Sequence, residues 1–192
     1  MSLLILIDGG YLKATAKFAH NVRADFSKFP GWVLGEVQQY NHGFPKTLLR
    51  TIYYDCAPYQ STPPTPQEQQ RLRAFTRFHH FLEQLPKFEV RLGRLVKRFD
   101  EQGKPFFEQK RVDVLLAVDI VYYALSGHVS DIALIAGDSD FIPAIRRAKD
   151  SGVRLWLFHG RVSSTSNDLY RLVDGRIPLL NQNQNTARFP IR

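Results

Sequence analysis

Residues 3–7, Leu-Leu-Ile-Leu-Ile, form an unbroken apolar run that ends directly on an acid, Asp8. A strand with no polar residue at alternate positions has to be covered on both faces, which demands a sheet layered between helices. The pattern recurs at 131–136, Asp-Ile-Ala-Leu-Ile-Ala, followed at once by Gly137, Asp138, Ser139 and Asp140. Further β-rich runs stand at 48–54, 88–92 and 153–158. Helical periodicity fills the gaps at 11–20, 67–85, 113–126, 141–150 and 165–173. Strands alternating with helices predict an α/β fold built on a parallel sheet.

At 192 residues the chain is expected to form one domain, over 1–180, with a core that needs no staples. Residues 23–46 have no clear period and are expected to be an insertion beside the sheet, placed to cover a substrate or a partner subunit. The polar tail 181–192 is expected to be loosely held. A single cysteine, Cys56, excludes an internal disulfide and a cysteine metal site. No apolar run approaches the roughly 20 residues that span a bilayer. The N-terminus lacks the basic segment of a signal peptide, so a cytoplasmic protein is expected, with no membrane partner. Lys and Arg number 26 against 18 Asp and Glu, a net charge of +8. A basic surface suits a polyanion.

The acids carry the chemistry. In an open parallel sheet the functional loops gather where the strands' carboxyl ends emerge. Asp8 follows the first apolar strand, and Asp138 follows the 131–136 strand with Gly137 between. Parallel central strands bring them together across 130 residues of sequence. Asp140 belongs to the same turn, and Asp113 opens the 113–126 helix from a loop at the same edge. Asp119 lies about 240° around that helix from Asp113, on another face. Two carboxylates about 5 Å apart repel by roughly 3 kcal/mol at an effective dielectric near 20, so four impose on the order of 10 kcal/mol if all stay ionised. Their proton affinities rise, or a cation sits among them. Oxygen donors with no His or Cys nearby favour Mg²⁺ or Mn²⁺ over zinc.

With those residues placed, the chain resembles the NYN domain family, the LabA-like branch of the PIN-like nuclease superfamily. The resemblance runs through "LILIDGGYL", "VRLGRL" at 90–95, "QKRVDVLLAVD" at 109–119, "LIAGDSDFIPAIRRAKDSGVRLWLF" and "SNDLYRLVDGRIPL" at 166–179. It implies a PIN-like three-layer α/β/α sandwich with a central, mostly parallel sheet. It also implies a metal-dependent ribonuclease whose catalytic and metal-binding acids fall on Asp8, Asp113, Asp138 and Asp140. Asp119 matches a further family acid. Two positions depart from the pattern. Tyr11 stands where many members have asparagine, and Arg111 where a glycine usually precedes Val-Asp-Val.

The expected reaction is hydrolysis of phosphodiester bonds in single-stranded or looped RNA, with Mg²⁺ or Mn²⁺ as cofactor. Lys110 and Arg111 are the expected phosphate contacts, and the basic stretches 91–98 and 146–149 an outer backbone track. Tyr11, Tyr53 and Tyr54 are either base-stacking or core residues. His79 and His80 read as structural or surface residues. RNA is the expected partner, and homo-oligomerisation is open. The alternative is a module of the same fold that holds RNA or a protein without cutting. A haloacid-dehalogenase-type phosphatase needs a second acid two residues after the first, where Gly10 stands. A dinucleotide site lacks its Gly-x-Gly-x-x-Gly turn.

Overall fold

The first apolar run is the central strand of a seven-stranded sheet. The computed structural model describes residues 1–41, 45–103, 105–161, 164–181 and 186–192, with side chains for all of these except 96, 97, 99 and 105–110. The strands are β1 (Ser2–Asp8), β2 (Thr47–Cys56), β3 (Phe88–Phe99), β4 (Pro105–Lys110), β5 (Asp131–Ile135), β6 (Arg154–His159) and β7 (Gly175–Pro178). The helices are α1 (Gly9–Phe18), α2 (Phe29–Tyr40), α3 (Pro66–Glu83), α4 (Val112–Leu125), α5 (Ile142–Asp150) and α6 (Asn167–Leu172). Strand order is β4-β3-β2-β1-β5-β6-β7. Six strands are parallel, and only β4 runs antiparallel, against β3.

Alternation along β1 splits the core in two. Leu4 and Leu6 face α4, α5 and α6, while Leu3, Ile5 and Ile7 face α1, α2 and α3. This is the expected three-layer α/β/α sandwich. Local signals set the helix starts. Thr65 accepts from the Glu68 N–H at 3.2 Å, Glu68 returns to the Thr65 N–H at 2.8 Å, and Pro66 sits in the first turn of α3.

Three expectations change. Residues 23–46 contain α2, whose Phe29, Val33 and Val37 are fully buried against the sheet. This segment is core, not a cover. Its period of four was masked by Pro30, Gly31 and Gly35, yet a proline in the first turn is compatible with a helix. Burying each such side chain is worth roughly 1.5–3 kcal/mol. Second, the strand expected at 88–92 runs on to Phe99 and turns at Gly103, whose φ is +76°, into β4. Third, the end of the chain is docked. Phe189 lies 5.8 Å from the Phe29 ring, and Arg188 donates to both carboxylate oxygens of Glu36 at 3.1 and 3.2 Å.

At the end of the sheet where β5 begins, Asp131 is fully buried beside an equally buried Lys46, 2.6 Å away. Asp131 also accepts from Ser130 at 2.7 Å and from the Trp156 indole at 2.8 Å. Burial alone would push its carboxyl upward, but these bonds outweigh it and hold Asp131 below its ordinary value. The resulting stability is present above the unfolded-state value of about 4 and is lost as pH falls through the lower folded value. Arg154, with Nε 3.1 Å from the same carboxylate, remains as a cation when Lys46 is removed, so Lys46→Met should cost about 1.5–3 kcal/mol in urea unfolding at neutral pH, the loss of one buried charge-assisted hydrogen bond. Asp131→Asn should flatten the acid limb of the stability profile, because the lowered carboxyl is gone.

Candidate carboxylate site

The site lies where strand order changes direction. β2 continues the sheet on one side of β1, and β5 on the other. Connections diverge at such a point and leave a crevice at the carboxyl ends of the strands. Ile7 pairs with Ile135, so Asp8 and the Gly137–Asp138 turn leave the sheet side by side. Asp113 arrives from the opposite layer, in the first turn of α4. Asp8, Asp113 and Asp138 line one open hollow of about 510 Å³, together with Tyr11, Ser139, Ser164 and Ser166. Asp140 lies beside it and borders a separate groove between α4 and α5.

Close packing holds the turn. A Cβ on Gly137 would stand 2.3 Å from the Tyr11 ring and 2.6 Å from the Ser164 carbonyl. A Cβ on Gly9 would meet the Tyr53 ring at 2.6 Å. The Tyr11 hydroxyl bonds the Thr165 hydroxyl at 2.8 Å and accepts from the Gly160 N–H at 2.7 Å. Tyr11 thus ties the start of α1 to the loops after β6, an anchoring job its phenol can do across that gap. Tyr53 and Tyr54 are buried core residues.

Two carboxylates also cap. Asp8 accepts from the Tyr11 N–H at 3.1 Å, and Asp138 from the Asp140 N–H at 3.0 Å. Burial is the main force raising Asp8 above the ordinary carboxylate range; the Tyr11 N–H opposes it, and the charges of Asp113 and Asp55 add to it. Asp113 is raised by burial first, then by Asp138 and Asp140. Asp113 is therefore the electrostatic hub through which the acids sense one another. Among the described residues, no three His, Cys, Asp or Glu side chains stand close enough to hold a metal ion as arranged. The donor set nevertheless fits a hard divalent cation: it is all oxygen, and the two raised carboxyls mark unrelieved negative charge.

The other sequence-assigned residues divide. Arg111 is exposed at the N-terminal end of α4, with a left-handed φ of +77°. The Lys110 side chain lies outside the described residues. Asp119 is buried, accepting from the Tyr54 hydroxyl and the Arg91 guanidinium. It is part of the core, and Arg91 is thereby removed from the expected RNA track. Lys149 is likewise committed, to Asp174 at 2.8 Å and the Leu172 carbonyl at 2.7 Å. His80 bonds Gln84, whereas His79 is buried, with Nε2 3.0 Å from Asp55 and Nδ1 2.8 Å from the Phe75 carbonyl.

Asp55 is the residue that sequence reading missed. It lies near the end of β2, close enough to Asp8 to raise it. Burial pushes Asp55 up, but the His79 bond and the Lys13 ammonium at 2.6 Å bring it below its usual range. The signal was present, because "RTIYYD" ends a strand on an acid just as "LLILID" does.

The model of the NYN domain matches residues 2–180. A solved structure of a protein of unknown function, VPA0982 from Vibrio parahaemolyticus RIMD 2210633, shares the fold with a TM-score of 0.59 at 20% identity, over 97% of this chain and 95% of that one. The uncharacterized protein MJ0482 of Methanocaldococcus jannaschii is 35% identical over 63 residues, which is 32% of this chain and 26% of that protein. The match thus spans about a quarter of that relative's length. No helix among the described residues is long and apolar enough to cross a membrane. The fold, the switch-point crevice and a match over nearly the whole length agree: the chain belongs to the NYN domain family, a PIN-like nuclease family.

Proposed function

We propose that the chain is a metal-dependent ribonuclease that hydrolyses phosphodiester bonds in single-stranded or looped RNA. The observation that carries this reading is the meeting of Asp8, Asp113 and Asp138 at one hollow, with Asp8 and Asp113 raised and no cation of the chain paired to either among the described residues. Asp8, Asp113, Asp138 and Asp140 would hold the divalent ion, which when bound supplies charge neutralisation at phosphorus and a more acidic water. In the balanced reaction a water oxygen bonds to phosphorus, one phosphodiester P–O bond breaks, the water gives a proton to a carboxylate, and the departing ribose oxygen takes up a proton from solvent. Asp140, at the edge of the hollow, would hold the ion through water and is placed to receive the attacking water's proton. Ser139 and Ser166 line the hollow and would donate their hydroxyls to phosphate oxygens, whereas the Ser164 hydroxyl is committed to the Arg161 carbonyl. The net charge of +8 favours RNA approach. Because no three acids stand at ligand distance, the second reading is a module of this fold that holds RNA uncut.

Labelled single-stranded RNA with Mn²⁺ separates the two. Cleavage by the native chain and a loss of at least about 100-fold in Asp138→Asn is the expected result. Equal cleavage by both proteins would point to a contaminant, and binding without cleavage to the second reading. Stability gives an independent check. Asp8→Asn keeps the helix cap while removing a disfavoured charge, so its unfolding midpoint in chelator should exceed that of the native chain. Mn²⁺ at about 100 times its dissociation constant should stabilise the native chain by about 2.7 kcal/mol, and Asp8→Asn far less.

Arg111 yields a further prediction. A left-handed backbone costs a residue with a Cβ roughly 1–2 kcal/mol, which glycine avoids at some cost in unfolded-chain entropy. Arg111→Gly should therefore raise stability by up to about 1 kcal/mol. RNA affinity should fall, and the slope of log affinity against log salt should lessen by about 0.7, one single-strand phosphate contact.

A further inference from the structure

Four of the nine exposed large hydrophobic side chains among the described residues sit on one helix: Val114, Val118, Tyr122 and Leu125 of α4. Each is more than half exposed. Steps of four, four and three residues align them in a single stripe. The opposite side of α4, through Leu116, Ile120 and Tyr123, packs into the core. The helix carries only two charges, Asp113 at its head and Asp119 turned inward. A helix that is apolar all round is normally covered all round.

We propose that a second copy of this chain covers the stripe, its α4 crossing the first antiparallel about a two-fold axis near Val118 and Val121. Charge placement selects this occupant and orientation. The stripe joins a shallow groove against α5, bordered at its head by Asp140 and then by Pro143. Arg147 lies one turn beyond Pro143 on the same face of α5, exposed and with no acid partner among the described residues. The face is therefore acidic at its head, from Asp113 and Asp140, apolar along its middle, and basic at its foot. A two-fold axis across the helices sets head against foot twice, bringing Arg147 of each copy toward the acidic head of the other. Parallel helices would instead press the carboxylates together.

An isologous contact covers the stripe of both copies at once, so four more-than-half-exposed apolar side chains become eight. Elsewhere the net charge of +8 on each copy opposes approach, whereas the middle of the stripe is neutral. None of this rests on RNA cleavage, so the two readings stand or fall separately.

Sedimentation equilibrium between about 1 and 100 μM tests the pairing directly. The native chain should sediment as a dimer. Val118→Glu and Tyr122→Glu should shift it to monomer, and Arg147→Asp should weaken association by about tenfold or more. Unchanged far-ultraviolet circular dichroism would show that the variants fold. In a Cys56→Ser background, Val118→Cys should form a disulfide-linked dimer on mild oxidation, while Leu92→Cys, on an exposed strand position away from the stripe, should not. A native chain that is monomeric at 100 μM, or a dimer indifferent to Val118→Glu and Arg147→Asp, overturns the proposal.

Discussion

The parallel pairing of β1 with β5 is the constraint on which the molecule turns. These two strands are apolar on both faces and fully buried, so they can exist only at the centre of a covered sheet. Their hydrogen-bond register fixes Ile7 beside Ile135, and with it the adjacency of Asp8 and the Asp138 turn. A slip of one residue would send both apolar sets to the wrong layer, so the site inherits its precision from the core. The sheet extends away on either side of this pair, which keeps the crevice open and admits Asp113 from α4.

Burying acids is costly, and this chain treats them in two ways. Asp131 is matched by Lys46 and Trp156, Asp55 by Lys13 and His79, and Asp119 by Arg91 and Tyr54. For Asp131 and Asp55 the partners outweigh burial and the carboxyl is lowered. Among the described residues Asp8 and Asp113 receive no such partner, and they move the opposite way. Three acids therefore serve the fold, and two remain in electrostatic deficit at the mouth of a crevice. Unrelieved charge in a crevice marks function more strongly than the mere presence of acids.

Features fixed by local pattern were legible in the sequence. The runs at 3–7 and 131–136 gave the central strands, and the acids closing them gave the edge of the sheet to inspect. Features fixed by tertiary context were not. Arg91 and Lys149 read as surface cations because nothing nearby in sequence foretells Asp119 or Asp174 across the fold. Phe189 looked like part of a polar tail until Phe29 and Trp32 supplied its neighbours. Asp55 obeyed the same strand-then-acid rule as Asp8, but its setting depends on Lys13 from α1 and His79 from α3, which only the fold brings to it. Its partner His79 becomes intelligible only when α3 lies against the end of β2.

Helix α4 concentrates the molecule's competing demands. Its inner face supplies Leu116 and Ile120 to the core, its flank holds Asp119 against Tyr54 and Arg91, and its head carries Asp113 into the hollow. A helix so committed on three sides would ordinarily turn a polar face to water. Val114, Val118 and Tyr122 do the reverse. Intrinsic helix propensity does not explain the choice, because lysine and glutamate are better surface helix formers than valine or tyrosine. The outward valines and tyrosine answer to contact rather than to helix formation, and that contact begins one residue from Asp113.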